Sequence, residues 1–194
     1  MIVIDNVIEK DYQNYIHELT MQEDFPLFYR KNIVDPRDVF DNDENINGFA
    51  HQLYEDRHQI SKYFTTLYPM VLSITGKTGM RFSELVRMRF NFVQGNPHTK
   101  MEHHLPHVDN MLPHLVAIYY VNTCDGDTFI FEQRNETRTY EEDEMITRRN
   151  EWTVAKRVTP KKGRLVVFDG RHYHASSFTK KHPYRCVINM NLGL

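Results

Sequence analysis

The feature that most constrains the fold is a series of short apolar segments in the second half of the chain, separated by turn-forming residues. Residues 115–121 are apolar at nearly every position, which predicts a β-strand buried on both faces. Residues 84–93 alternate apolar and polar side chains, which predicts a strand with one polar face. Further strands are predicted at residues 128–131, 152–158, 165–169 and 184–191. Together these segments indicate an antiparallel sandwich or jelly roll.

The first half of the chain has a different pattern. Residues 9–21 and 48–75 carry apolar side chains at three- and four-residue spacing, which predicts two helical segments. The second is expected to break near Tyr68 and Pro69, because proline interrupts a helix. The polar segment 32–47 between them is predicted to be a loop, and we consider it a candidate lid over a substrate.

These patterns predict a mainly β protein with one domain over residues 1–194. Residues 1–80 would form a mainly helical layer that packs on one sheet of a jelly-roll core at residues 81–194. A short strand within residues 1–8 would precede the first helix.

Composition excludes some classes of function. The chain has 24 basic and 26 acidic residues and a formal net charge of -2, so binding of nucleic acid through a broad basic surface is not expected. No apolar run is long enough to span a membrane, and the first residues lack the basic leader of a signal peptide. Cys124 and Cys186 show no metal-type spacing, so we expect reduced, buried thiols and a cytoplasmic location. The sequence gives no indication of oligomeric state.

A histidine and an aspartate lie one residue apart, at His107 and Asp109, just before the buried strand 115–121. On a strand, residues i and i+2 point to the same face, so both side chains would aim at one point. Two histidines and one carboxylate on one side of a metal suit non-haem Fe(II), because they leave positions open for substrate and oxygen. The pair by itself also fits a surface histidine beside an acidic turn.

The third ligand would have to come from another strand. His172 and His174 follow the predicted strand 165–169, and they have the same parity, so spacing does not choose between them. The other histidine would support the site from outside or be exposed.

An arginine is predicted inside the core near the same place. Arg185 begins the last predicted strand, and a buried arginine is costly unless it meets an anion. Its planar fork suits a carboxylate, and the hydroxyl of Tyr120 could contact the same anion. A metal would explain the two histidines and the aspartate, and a bound dicarboxylate would explain the buried arginine and the tyrosine.

The chain resembles the 2-oxoglutarate- and Fe(II)-dependent oxygenases of the prolyl 4-hydroxylase-like group. The resemblance covers roughly the second half of the chain and rests on the order and spacing of several short pieces. These pieces are His107-Val108-Asp109-Asn110, Ile118-Tyr119-Tyr120-Val121-Asn122, Asp125-Gly126-Asp127-Thr128, the segment 160–168, His174 and Arg185.

The resemblance implies a double-stranded β-helix (jelly-roll) core and a dioxygenase with Fe(II) and 2-oxoglutarate, with ascorbate as a candidate reductant. It implies His107, Asp109 and His174 as catalytic iron ligands, and so selects His174 over His172. It implies Arg185 and Tyr120 as the clamp on the distal carboxylate of 2-oxoglutarate.

The implied reaction is hydroxylation of a protein, peptide or small-molecule substrate, with prolyl residues among the candidates, and release of succinate and CO2. Related halogenases replace the carboxylate ligand by a small residue, whereas this chain keeps Asp109. Asn91 stands on the strand where relatives often place a tyrosine near the co-substrate.

Two other functions of the predicted site remain open. The same ligands suit a zinc-dependent jelly-roll hydrolase or lyase, and a non-catalytic jelly-roll binding module could keep such residues.

The remaining histidines are expected to be exposed, and they are His17, His51, His58, His98, His103, His104, His114 and His182. For His103, His104 and His114, which flank the predicted metal ligands, a place at the mouth of the pocket is the alternative.

Overall fold

The computed structural model describes residues 1–31, 33, 47–135 and 151–194. The proposed lid, residues 32–47, therefore lies almost entirely outside the described residues. Most of the charged segment after Arg134 lies outside them too.

Two antiparallel sheets form the core. The large sheet has the order β1-β9-β6-β11-β5-β3-β2, with β4 paired to β3, and the small sheet has the order β10-β7-β8. The strands are β1 Ile2–Ile4, β2 Phe28–Arg30, β3 Gly48–Glu55, β4 His58–Gln59, β5 Glu84–Gln94, β6 His114–Tyr120, β7 Thr128–Arg134, β8 Val154–Val158, β9 Leu165–Asp169, β10 His172–Ser176 and β11 Tyr184–Gly193. A buried cluster joins the sheets, since Ile130 and Val158 of the small sheet pack with Ile118 and Val187 of the large one. This confirms the jelly-roll prediction.

Strand alternation gives the large sheet two different faces. On β11, Ile188 and Met190 belong to the apolar cluster shared with the helices, whereas Val187 belongs to the cluster between the sheets. Successive side chains of a strand point to opposite faces, so the neighbouring polar residues Asn189 and Asn191 share the inner face with Val187. The inner face is therefore where buried polar groups collect.

In the described part of the chain, three helices cover the outer face of the large sheet. They are α1 Lys10–Thr20, α2 Phe64–Leu67 and α3 Pro69–Thr78. Ile16 of α1 and Met70 and Ile74 of α3 are fully buried in the cluster with the sheet. The break predicted near Tyr68 and Pro69 is the boundary between α2 and α3. Proline suits the first turn of a helix because no intrahelical partner exists there for its missing N–H.

The prediction of a helix from residue 48 is wrong, because β3 occupies Gly48–Glu55. Phe49 and Leu53 are four residues apart, a spacing that fits one helix face and also one strand face. Pairing with β5 decides between the two, and a register shift between Gln52 and Tyr54 disturbs the strict alternation. The described part of residues 1–80 thus adds strands as well as helices to the core.

The cysteines behave as predicted, since Cys124 and Cys186 are both free and buried. Burial raises the pKa of both thiols, so they stay protonated at neutral pH. Among the described helices, none has the length and apolar character needed to cross a bilayer.

Adjacent residues of α1 test the role of the helical layer. Ile16→Ala should lower the free energy of unfolding by about 3 kcal/mol, because it opens a cavity under the sheet. Tyr15→Ala is the matched control, since Tyr15 is 48% exposed, and it should change stability by less than about 0.5 kcal/mol. Urea unfolding measures both, and equal losses would show that α1 does not pack as described.

Candidate metal centre

His107, Asp109 and His174 come together between the two sheets. Each offers one ligand atom, and these atoms all lie within 4.8 Å of one another. His107 lies outside the named strands and forms an isolated antiparallel bridge with His174 of β10. The backbone N–H of each donates to the carbonyl of the other at 2.9 Å. This bridge holds the two imidazoles together, with ring centroids 4.6 Å apart.

The histidine rings are oriented by their own backbone neighbours. Nδ1 of His107 lies 3.2 Å from the carbonyl oxygen of Leu105, and Nδ1 of His174 lies 3.4 Å from that of His172. The two Nε2 atoms face Asp109, at 4.0 Å from Oδ1 and 3.9 Å from Oδ2 respectively. A carbonyl contact at Nδ1 favours the tautomer whose Nε2 lone pair is available to a metal.

His172 does not belong to the ligand cluster, although it lies two residues before His174 on β10. Its Nδ1 is 2.7 Å from the carbonyl oxygen of Phe131 on β7. The pairing of β10 with β7 shifts register between His172 and His174, so equal parity in the sequence does not give equal direction.

Asp109 is held by three side chains from the inner face of the large sheet. Nη2 of Arg87 lies 2.8 Å from Oδ1, and Nδ2 of Asn189 and of Asn191 donate to Oδ2 at 3.1 and 2.9 Å. Burial alone would raise the pKa of Asp109. The Arg87 cation, the two nearby histidines and Asn191 outweigh burial and hold that pKa well below its ordinary value. The carboxylate is therefore ionised and oriented before any metal binds.

His174 is kept neutral. Burial and then the neighbouring His107 lower the pKa of His174 to about 3, although Asp109 opposes them. A neutral imidazole is the form that binds a metal.

Arg185 lines the same cavity and has neutral partners. Its Nε donates to the carbonyl of Gly126 at 2.7 Å, and its Nη2 donates to Oγ1 of Thr128 at 2.9 Å. The Tyr120 hydroxyl donates to the same Thr128 oxygen at 2.7 Å. Tyr120 is fully buried behind Thr128, and burial raises its pKa to about 12. The structure thus places Thr128, with Arg185, on the cavity wall in front of Tyr120.

One cavity connects the metal centre with Arg185. Its wall includes His107, His174, Asn189, Thr128 and Arg185. Along β11, Arg185 and Asn189 are four residues apart, which corresponds to about 13 Å of strand. Because Asn189 contacts Asp109, the metal ligands and the arginine lie at two levels of one cavity.

The polar face predicted for residues 84–93 is the wall of this site. Arg87 contacts Asp109, and Arg89 and Asn91 line the cavity. The alternation in the sequence predicted a polar face. The sequence did not predict the contacts made by this face and its neighbours, because these contacts depend on which strands pair; the residues concerned are Arg87, Asn189, Asn191 and Thr128.

The expectation that the remaining histidines are exposed is wrong at three positions. His104 and His114 are each 1% exposed, and His51 is 4% exposed. His104 packs edge-on against Phe178, and Nε2 of His51 lies 2.7 Å from Oγ of Ser61. His104 is covered by Phe178, far along the chain, and His51 by Ser61 from beyond the next strand, contacts that the local sequence does not show.

Comparison with known proteins identifies the fold through structure alone. No protein-family model and no curated protein sequence matches this sequence. Among solved structures, a 2OG-Fe(II) oxygenase-family oxidoreductase from Burkholderia pseudomallei matches with a TM-score of 0.68 and 11% identity, over 99% of this chain and 84% of that one. The chain has the fold of the 2-oxoglutarate- and Fe(II)-dependent oxygenases.

Two further structures share this fold. A prolyl hydroxylase from Trichoplax adhaerens, in complex with a hypoxia-inducible-factor peptide, matches with a TM-score of 0.59 and 13% identity, over 99% of this chain and 82% of that one. An alpha-ketoglutarate-dependent carbocyclase from nogalamycin biosynthesis matches with a TM-score of 0.63 and 12% identity, over 99% of this chain and 79% of that one.

The pKa of His174 predicts a pH dependence of the metal-free protein. The unfolded chain binds a proton near pH 6.5 that the folded chain does not bind until about pH 3, so stability falls as the pH falls through this window. Between pH 7.5 and pH 5 this single group should remove about 2 kcal/mol from the free energy of unfolding.

Between pH 7.5 and pH 5, urea unfolding should show that His174→Gln loses about 2 kcal/mol less free energy of unfolding than the original protein does. His58→Gln is the control, because His58 is exposed and does not line the cavity, and it should follow the original curve. Parallel curves for the original protein and His174→Gln would contradict the burial of a neutral imidazole.

Proposed function

We propose that this protein is an Fe(II)- and 2-oxoglutarate-dependent dioxygenase that hydroxylates a peptidyl or small-molecule substrate and releases succinate and CO2. His107, Asp109 and His174 would hold the iron, and Arg185 would bind the distal carboxylate of 2-oxoglutarate. One observation carries the proposal: a single cavity is lined by two histidines of a three-residue ligand cluster and by a buried arginine whose hydrogen bonds go to neutral groups.

The donor set fits the metal. Two imidazoles and one carboxylate are the ligands of non-haem Fe(II) oxygenases, and His107, Asp109 and His174 offer this donor set and would hold the metal. Bound Fe(II) would supply the oxygen chemistry that couples decarboxylation of 2-oxoglutarate to oxidation of the substrate. Ascorbate is a candidate reductant for keeping the iron in this state.

The protein side chains position the reactants. Arg185 offers a planar fork that suits one carboxylate, and Thr128 adds a hydroxyl beside it. Tyr120 would act by orienting Thr128, because its hydroxyl donates to the Thr128 oxygen. Val187 and Ile118 form the apolar wall between the two levels and would limit the access of water.

Asp109 favours hydroxylation over halogenation. Asn189 and Asn191 donate to its Oδ2, and Arg87 lies against its Oδ1, so the carboxylate is fixed and cannot easily leave the metal centre. A retained carboxylate fills the position that a halide would need.

The substrate class is open between peptides and small molecules. One structural neighbour is a prolyl hydroxylase bound to a peptide, and another is a carbocyclase of a biosynthetic route. Both kinds of substrate are therefore proposed, with peptidyl proline among them. Nucleic acid is disfavoured by the net charge of -2.

We also propose a single domain over residues 1–194 and a cytoplasmic location. The N-terminal strand β1 pairs with β9 of the core, which supports one unit. The two free, buried cysteines suit a reducing compartment.

The main alternative is a zinc-dependent hydrolase or lyase, because the same three donors suit zinc. Arg185 argues against it, since such an enzyme needs no clamp for a dicarboxylate. A non-catalytic binding module would not need an ionised carboxylate held by three side chains.

Anaerobic calorimetry with 2-oxoglutarate and glutarate tests the proposal. Glutarate has both carboxylates but lacks the keto oxygen that chelates a metal. Fe(II) should therefore tighten the binding of 2-oxoglutarate far more than that of glutarate. Arg185→Gln should weaken 2-oxoglutarate binding about 100-fold, which is about 2.7 kcal/mol, because a charge-assisted contact is lost.

Arg164→Gln is the matched control. Arg164 pairs with Asp5 at the edge of the large sheet, so its loss should leave 2-oxoglutarate affinity unchanged. Equal binding of the two acids with and without Fe(II) would contradict the proposed function.

A further inference from the structure

Arg89 is a second largely buried arginine on the wall of the cavity. Its Nη2 lies 3.4 Å from the carbonyl oxygen of Ile33, and its Nε has no hydrogen-bond partner among the residues that the structure describes. Burial, and then the nearby Arg87 cation, lower the pKa of Arg89 to about 10, so the guanidinium is still charged at neutral pH. A buried cation of this kind is costly unless an anion joins it.

Strand register places Arg89 at the level of the metal ligands. Arg89 of β5 lies directly opposite Asn189 of β11, and Asn189 donates to Asp109. The Cβ atoms of directly opposite residues are about 5 Å apart. On its other side Arg89 pairs with Gln52 of β3, so it lies one strand away from Asn189, toward the β3 side of the sheet.

The charges of the filled site do not balance. Asp109 and the two carboxylates of 2-oxoglutarate would carry three negative charges, whereas a divalent metal, Arg87, Arg89 and Arg185 would carry five positive ones. Arg87 lies against Asp109, and Arg185 would meet one carboxylate of 2-oxoglutarate. Asp109 and Glu55 act on Arg89 only from a distance, and no hydrogen bond or ion pair joins Arg89 to a carboxylate within the described residues.

We propose that Arg89 binds an oxyanion of the substrate, a carboxylate or a phosphate, beside the metal centre. This rests on the proposed function and narrows its substrate to acids. The planar guanidinium fork suits both kinds of oxyanion, and a contact at the level of the metal would hold a nearby C–H bond toward it. A neutral stretch of peptide would leave Arg89 buried without a counter-charge.

The test uses the protein loaded with Mn(II) and saturating 2-oxoglutarate, and it measures the paramagnetic relaxation of small probes by NMR. The probes are acetate, its neutral match acetamide, and methyl phosphate. Acetate or methyl phosphate should relax at least fivefold more than acetamide, because only the anions reside near the metal. The stronger of the two identifies the oxyanion as carboxylate or phosphate.

Three variants assign the effect to Arg89. Arg89→Gln should abolish the preference for anions while 2-oxoglutarate affinity changes less than threefold, which also shows that the site is folded. Arg89→Lys should keep part of the preference, because it keeps the charge. Arg57→Gln should behave like the original protein, since Arg57 is exposed and pairs with Glu84.

Three results would overturn the inference while the proposed function stands. The first is equal relaxation of acetate, methyl phosphate and acetamide, and the second is an anion preference that survives in Arg89→Gln. The third is loss of 2-oxoglutarate binding in Arg89→Gln, which would make Arg89 a co-substrate residue. Failure of the original protein to bind 2-oxoglutarate at all would instead reject the proposed function, and the inference with it.

Discussion

The structure of the site depends on one buried carboxylate. Asp109 lies between the two sheets, where burial alone would raise its pKa. Arg87, Asn189 and Asn191 keep it charged, and they come from β5 and β11, neighbours within the large sheet. A slip of one residue in either strand would turn its contacts to the helical side. The register of the large sheet therefore determines which side chains hold the carboxylate of the candidate metal centre.

Much of the fold could be predicted because strand patterns are local. The apolar run at residues 115–121 and the alternation at residues 84–93 became β6 and β5. Alternation also carries the chemistry: on β11, Ile188 and Met190 pack under the helices, while Asn189 faces the cavity. The structure brings His107, Asp109 and His174 together, whereas sequence spacing alone left His172 and His174 open and only the resemblance selected His174.

What could not be predicted depends on pairing between distant segments. Residues 48–55 fit a helix and a strand equally well until β5 is beside them. The burial of His104 comes from Phe178 and Ser176, far along the chain. The contacts of Arg87 and Asn191 with Asp109 likewise need the register of β5 and β11, which no local spacing contains. Thr128 was predicted only as the first residue of a strand, not as the group between Tyr120 and Arg185.

The most direct test of the central claim is an anaerobic titration of the metal-free protein with Fe(II) and 2-oxoglutarate, followed by visible absorption. Chelation of Fe(II) by the keto acid within the site should give a charge-transfer band that saturates at one iron per chain. The band should be absent in Asp109→Ala, whose metal centre lacks its carboxylate. No band in the original protein, together with tight stoichiometric binding of zinc, would contradict the account and favour a zinc enzyme.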